Sequence, residues 1–195
     1  MTTHLVQLWI YATFTLLRQC WYIWHLRSHR FPKHEPAGLE VGFTATIALY
    51  VLYLSIWLLS LLGLAQRQAS LVIFIPGSSL VLLGVSLRWL ALRALGQHFR
   101  VFVASNSAVV TSGIYSIIRH PIHLGMLVEL FGMALIARSA LAWGMWLQLI
   151  LVTLSLQRKE DGKLREHVGQ IAQQYQAMVP AMNIIRGLNL YFSGH

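Results

Sequence analysis

Acidic residues are scarce in this 195-residue chain: six Asp and Glu stand against fifteen Lys and Arg, and charged residues make up only 11% of it. A soluble domain carries about 25% charged residues, so much of the exterior is not built to face water. With 56% hydrophobic residues and a mean hydropathy of +0.59, the deficit points to an integral membrane protein. Cysteine is nearly absent as well. Cys20 alone permits no intrachain disulfide and no Cys-rich zinc site, and its neighbours Leu16, Leu17, Trp21 and Tyr22 predict that it packs. No Lys or Arg precedes Arg18, so the amino-terminal stretch lacks the basic flank of a cleavable signal and is expected to be a retained helix. The +9 balance does not imply nucleic acid. The basic residues lie between apolar stretches, where anionic headgroups and the positive-inside bias account for them. Neither nucleic acid nor an obligate protein partner is expected; membrane lipids are.

Five apolar stretches predict an all-α membrane fold with about five transmembrane helices. They run approximately over Leu5–Trp24, Val41–Leu64, Ala69–Leu92, Ile122–Ile136 and Ala140–Leu156. Pro76-Gly77 is expected to bend the third or to mark its true start. Only Ala137-Arg138-Ser139 separates the last two, which read as a tight helical hairpin. Twelve Lys and Arg fall on one side of the alternation, among them Arg88, Arg93, Arg100 and Arg119, and two, Arg67 and Arg138, on the other. That bias places the amino terminus outside and the carboxy terminus in the cytoplasm. The tail from Asn189 resembles a protease-site and tag remnant, so residues 188–195 are set apart from a single domain over 1–187.

Two cytoplasmic-side segments, Ala94–Pro121 and Gln157–Arg186, hold most of the unusual chemistry. In the first, Pro121 suits the opening turn of the fourth helix because it has no amide hydrogen to leave unpaired. The free donors there favour an anion, and Arg119 and His120 add to them. Gly125 and Gly132 share nearly one helix face with Glu129 between them, which predicts a groove where a flat or elongated ligand lies against backbone. Glu129 is a carboxylate about two turns inside an apolar helix, a costly placement. It is read either as a structural partner of Arg18 or as a direct participant in chemistry. Arg158-Lys159-Glu160-Asp161 reads on composition as a charged helix leaving the membrane. The nine histidines give no metal site. His29 and His34 fall in a polar loop, His98 suits the headgroup level, and His120 and His123 lack a third ligand in register.

In order and separation these pieces resemble the isoprenylcysteine carboxyl methyltransferase family and its phospholipid N-methyltransferase relatives. The resemblance runs from Leu87 to Pro180, with the catalytic part about 87–186. It is carried by Leu95-Gly96 and Phe99, by Val110-Thr111-Ser112-Gly113-Ile114-Tyr115, and by Arg119-His120-Pro121 with Gly125. Glu160-Asp161, Leu164, Val168-Gly169, Tyr175 and Val179-Pro180 complete it. It implies S-adenosylmethionine as methyl donor, an acceptor entering from the bilayer, and a pocket enclosed by the two segments. It also implies cofactor-binding roles for Val110, Gly113, Tyr115, Arg119, His120, Pro121, Gly125 and Glu160. The sequence departs from the family pattern at Ser107, Ile114, His123, Leu156, Asp161 and Ala172.

A carboxylate acceptor needs a cation, for which Arg158 or Arg119 is available. An amine acceptor needs a base, for which Glu129, Glu160 or His123 is available. The expected activity is therefore methyl transfer to a lipophilic acceptor, first the carboxylate of an isoprenylcysteine-type substrate and second a phospholipid or other small lipophile. Glu129, Arg158 and His123 are the expected catalytic residues. An NADPH-dependent membrane reductase and a non-catalytic scaffold are the competing readings.

Overall fold

The computed structural model describes residues 2–28, 40–66, 70–95 and 111–193, and these residues form helices and short connections with no strand. The helices are α1 Thr2–Ser28, α2 Glu40–Ala65, α3 Leu71–Leu95, α4 Pro121–Ala137, α5 Ala140–Val168, α6 Gln170–Met178 and α7 Ile184–Ser193, with a 3-10 turn at Gly113–Ser116 before α4. Three segments among the described residues are long and apolar enough to cross a membrane: Ile47–Ala65, Leu71–Ala94 and Ala140–Glu166. The five-crossing reading also counts α1 and α4. At 17 residues and 1.5 Å per residue, α4 is about 26 Å long, short of the ~30 Å hydrocarbon core.

The chain divides into two units, the first comprising Met1–Leu82 with Val128–Leu149, the second Leu83–Leu127 with Ile150–His195. In the first unit, α1 buries Gln7, Tyr11, Thr15 and Arg18, which recur at helical spacing, while Trp9, Ile10 and Leu17 are exposed. Polar groups inside and large apolar ones outside invert the pattern of a soluble protein and fit a lipid surround. Cys20 is exposed, not packed as its neighbours predicted. It lies two residues past Arg18 and nine past Tyr11, each about half a turn away from the buried stripe.

The stripe faces α2. Tyr11 Oη and Ser60 Oγ share a hydrogen bond of 2.8 Å, and Arg18 lies 4.7 Å over the ring of Tyr53. Arg18 pairs with Glu129, and Tyr53 Oη donates to Glu129 Oε1 at 2.7 Å. Glu129 is completely buried. The structural partner anticipated for this carboxylate is thus present, together with a tyrosine that the sequence did not single out.

Close helix approach in this unit depends on glycine. A Cβ at Gly63 would meet the Ala137 carbonyl oxygen at 2.9 Å, and one at Gly77 would meet Ile136 Cγ1 at 2.7 Å. Gly132 faces the Gly77 carbonyl just as tightly, the small-residue packing expected where lipid supplies no hydrophobic drive between helices. Pro76 lies inside α3, five residues past its start, so it neither begins nor ends the helix, although it removes one backbone bond. The α4–α5 hairpin turns at Arg138, whose φ is +48°. Phe131 of α4 stacks against Trp143 and Trp146 of α5, at centroid distances of 5.3 and 5.0 Å.

Candidate active site

The second unit gathers the chemistry-bearing side chains. Helix α4 begins at Pro121 as its missing amide predicts, and the His120 carbonyl accepts the first helical bond from Leu124 N at 3.1 Å. His120 is therefore the N-cap residue, with its backbone fixed and its imidazole free to point away from the helix. Two further bonds tie this segment to the end of the second motif: Arg119 N donates to Pro180 O and His120 N to Ala181 O, both at 3.0 Å. These link the Arg119-His120-Pro121 and Val179-Pro180 motifs through backbone.

Their side chains converge on α5. That helix continues past the apolar stretch, which was expected to end near Leu156, and runs to Val168, so Glu160 and Asp161 share a rigid element. Arg119 Nη1 donates to Asp161 Oδ2 at 2.9 Å, and His120 Nε2 lies 3.1 Å from Asp161 Oδ1. Each carboxylate oxygen of Asp161 thereby holds a different residue. Glu160 Oε2 is 3.4 Å from His120 Nδ1 and 3.8 Å from His123 Nδ1. The two imidazoles lie 5.7 Å apart by ring centroids. The Asp161 carbonyl accepts Gln176 Nε2 from α6 at 3.0 Å.

The 3-10 turn is anchored from α6: Tyr175 Oη donates to the Tyr115 carbonyl at 2.8 Å. Burial pushes the phenols of Tyr115 and Tyr175 well above the usual tyrosine range, so both stay neutral and Tyr175 remains a donor at any physiological pH. Gly113 adopts φ +62°, a left-handed conformation that costs a residue with a side chain.

Most residues expected at the site belong to this unit: Gly113 and Tyr115 in the turn, then Arg119, His120, Pro121, His123, Gly125 and Glu160. The groove expected along Gly125 and Gly132 is not open. A Cβ at Gly125 would meet Arg88 Cγ at 2.6 Å and the Gly84 carbonyl at 2.7 Å, so α3 fills that space; Gly132 is filled likewise by α3 in the first unit. Arg158 is exposed on α5. Glu129 belongs to the buried network of the first unit. Val110 lies outside the described residues, as do His29, His34, Gly96, His98, Phe99 and Ser107.

Two residues gain weight that the sequence did not assign them. Asp161 figured in the charged run and in the family-like pattern, where it is a departure, without a role of its own, and Arg88 only as one of the cations that set orientation. Arg88 packs its stem on Gly125. No periodicity marks either role.

Several groups here suit a charged cofactor. Arg119 Nε is buried with no hydrogen-bond partner among the described residues, a donor awaiting an acceptor. The Glu160 side chain is 50% exposed beside the shielded Arg119 and His120, so this carboxylate is within reach of a ligand. His120, His123 and Glu160 also bring three potential metal-ligating atoms within 4.8 Å of one another. The third ligand that spacing did not supply comes from α5.

The sequence model described as phospholipid methyltransferase matches residues 72–170. No curated protein and no solved structure matches the chain.

Proposed function

Because the chain belongs to the phospholipid methyltransferase family, we propose that it transfers a methyl group from S-adenosylmethionine to a lipophilic acceptor at the membrane. The observation that carries this reading is the convergence of Arg119 and His120 on the Glu160–Asp161 pair. When bound, the donor supplies an electrophilic sulfonium methyl group, and its leaving group is a neutral thioether. The protein's task is then alignment and exclusion of water.

Each residue has a part in that task. Arg119 offers its unpartnered buried Nε to the donor's carboxylate. Glu160 accepts from ribose hydroxyls or from the amino group with its half-exposed carboxylate, since an ionised carboxylate is acceptor only. Asp161 touches neither in this scheme; it fixes Arg119 and His120. Pro121 sets the start of α4, Gly125 admits Arg88, and backbone from Gly113 to Tyr115 lines the adenine side. Glu129 serves the scaffold, through Arg18 and Tyr53. A nicotinamide-dependent reductase gains no support from the family match.

The acceptor is best read as the carboxylate of an isoprenylcysteine-type lipid. Such a nucleophile needs no base, only a cation, and Arg88 joins Arg158 as a candidate. A phospholipid amine is the second reading, favoured by His123 next to Glu160, a nitrogen and a carboxylate able to take a proton. Purified protein incubated with methyl-labelled donor should label a prenylcysteine analogue as a base-labile ester, in preference to vesicles of phosphatidylethanolamine. Arg88→Met, which keeps the stem packed on Gly125, should raise the acceptor KM by about tenfold, equivalent to about 1.4 kcal/mol, with little change in kcat. Label in the lipid amine instead would transfer the assignment to the second reading.

A further inference from the structure

We propose that His120, His123 and Glu160 form a binding site for a divalent transition-metal ion of the zinc class, and that the ion and the methyl donor exclude one another. Only the exclusion rests on the function proposed above; the metal site stands on its own geometry.

The donor atoms are spaced for such an ion. Two ligands at about 2.1 Å from a tetrahedral centre lie about 3.4 Å from each other. Glu160 Oε2 stands 3.4 Å from His120 Nδ1 and 3.8 Å from His123 Nδ1, and all three ligand atoms lie within 4.8 Å of one another. A small closure of the Glu160 side chain of α5 onto the start of α4 completes the set. Two imidazoles and one carboxylate suit zinc or its neighbours in the first transition row better than calcium or magnesium, which prefer oxygen.

The surroundings of His120 strengthen the assignment. Its Nε2 lies 3.1 Å from Asp161 Oδ1, so with Nδ1 bound to an ion the Nε2–H would donate to that carboxylate. Carboxylate, imidazole and vacant ring nitrogen in line is the usual second layer of a zinc-ligating histidine. Arg119 holds Asp161 in place from the far side. Three protein ligands leave a fourth position open, as in sites that bind water or substrate. Since Glu160 is also a group proposed to hold the donor, one occupant displaces the other.

The test uses the full chain in detergent, stripped with chelator and carrying no added histidine tag. Zinc chloride titrated calorimetrically should bind once per chain, and cobalt chloride should give the strong visible bands of a four-coordinate nitrogen–oxygen site. His123→Tyr removes one ligand nitrogen and should weaken zinc by at least about tenfold, while S-adenosylhomocysteine still binds and certifies the fold. Zinc should lower S-adenosylhomocysteine affinity in the natural chain and not in the variant. Absence of zinc binding, zinc binding unchanged in the variant, or a weak six-coordinate cobalt spectrum each overturns the metal site. Zinc binding together with no S-adenosylhomocysteine binding would leave the metal site standing and remove the methyl-donor reading; zinc and S-adenosylhomocysteine bound together without interference would remove the exclusion.

Discussion

Asp161→Ala is expected to weaken S-adenosylhomocysteine binding by about two orders of magnitude, close to 3 kcal/mol. The carboxylate takes Arg119 Nη1 at 2.9 Å on one oxygen and faces His120 Nε2 at 3.1 Å on the other. Hydrogen bonds to charged groups contribute roughly 1.5–3 kcal/mol each, so losing both releases the two side chains proposed to face the donor. Asp161→Asn keeps the shape and one acceptor, and should fall between. Asp161→Glu restores the charge and should recover affinity to within about tenfold. A purely structural role would instead lower the melting temperature of all three variants and leave calorimetric affinity of the folded fraction unchanged. That pattern would take Asp161 out of the site.

The second large effect belongs to the buried pair. Removing one member of a buried ion pair typically costs 3–5 kcal/mol, because the other charge is left uncompensated. Glu129 is fully enclosed, with Arg18 and Tyr53 as partners. Glu129→Ala and Arg18→Ala should therefore each cost roughly that much in denaturant or thermal unfolding in detergent. The double replacement Arg18→Met with Glu129→Met fills the volume without charge and should regain most of the loss, since apolar isosteres of buried pairs are often neutral or stabilising. If Glu129→Gln unfolds like the natural chain yet abolishes methyl transfer, the carboxylate acts in the chemistry and its assignment to the scaffold is wrong.

Composition and hydropathy made the membrane class legible, and local stereochemistry placed individual joints. Pro121 opens α4 because a missing amide is harmless in a first turn. Glu129 advertised a partner because an isolated carboxylate among apolar residues is costly, and Arg18 was among the few cations inside an apolar stretch. What stayed hidden depends on how closely two helices approach, which no residue states alone. Gly125 and Gly132 looked like the floor of a groove; they are instead where α3 comes near enough to press Arg88 and the Gly77 backbone against α4. The double engagement of Asp161 arises because α5 runs unbroken through Glu160 and Asp161 while Arg119 and His120 are pinned by the Pro180 and Ala181 carbonyls. Those bonds involve backbone, so their side chains left no trace in the pattern. Cys20 was misplaced for a related reason: apolar neighbours in sequence include both faces of a helix, and this thiol lies on the exposed one.

The most direct test is a calorimetric titration of the purified, full-length chain with S-adenosylhomocysteine, with NADPH as the comparison ligand. The account predicts saturable binding of the first at one site per chain, lost in Arg119→Ala and Glu160→Gln, and no binding of the second. Binding of NADPH alone, or S-adenosylhomocysteine binding that survives both replacements, would contradict it.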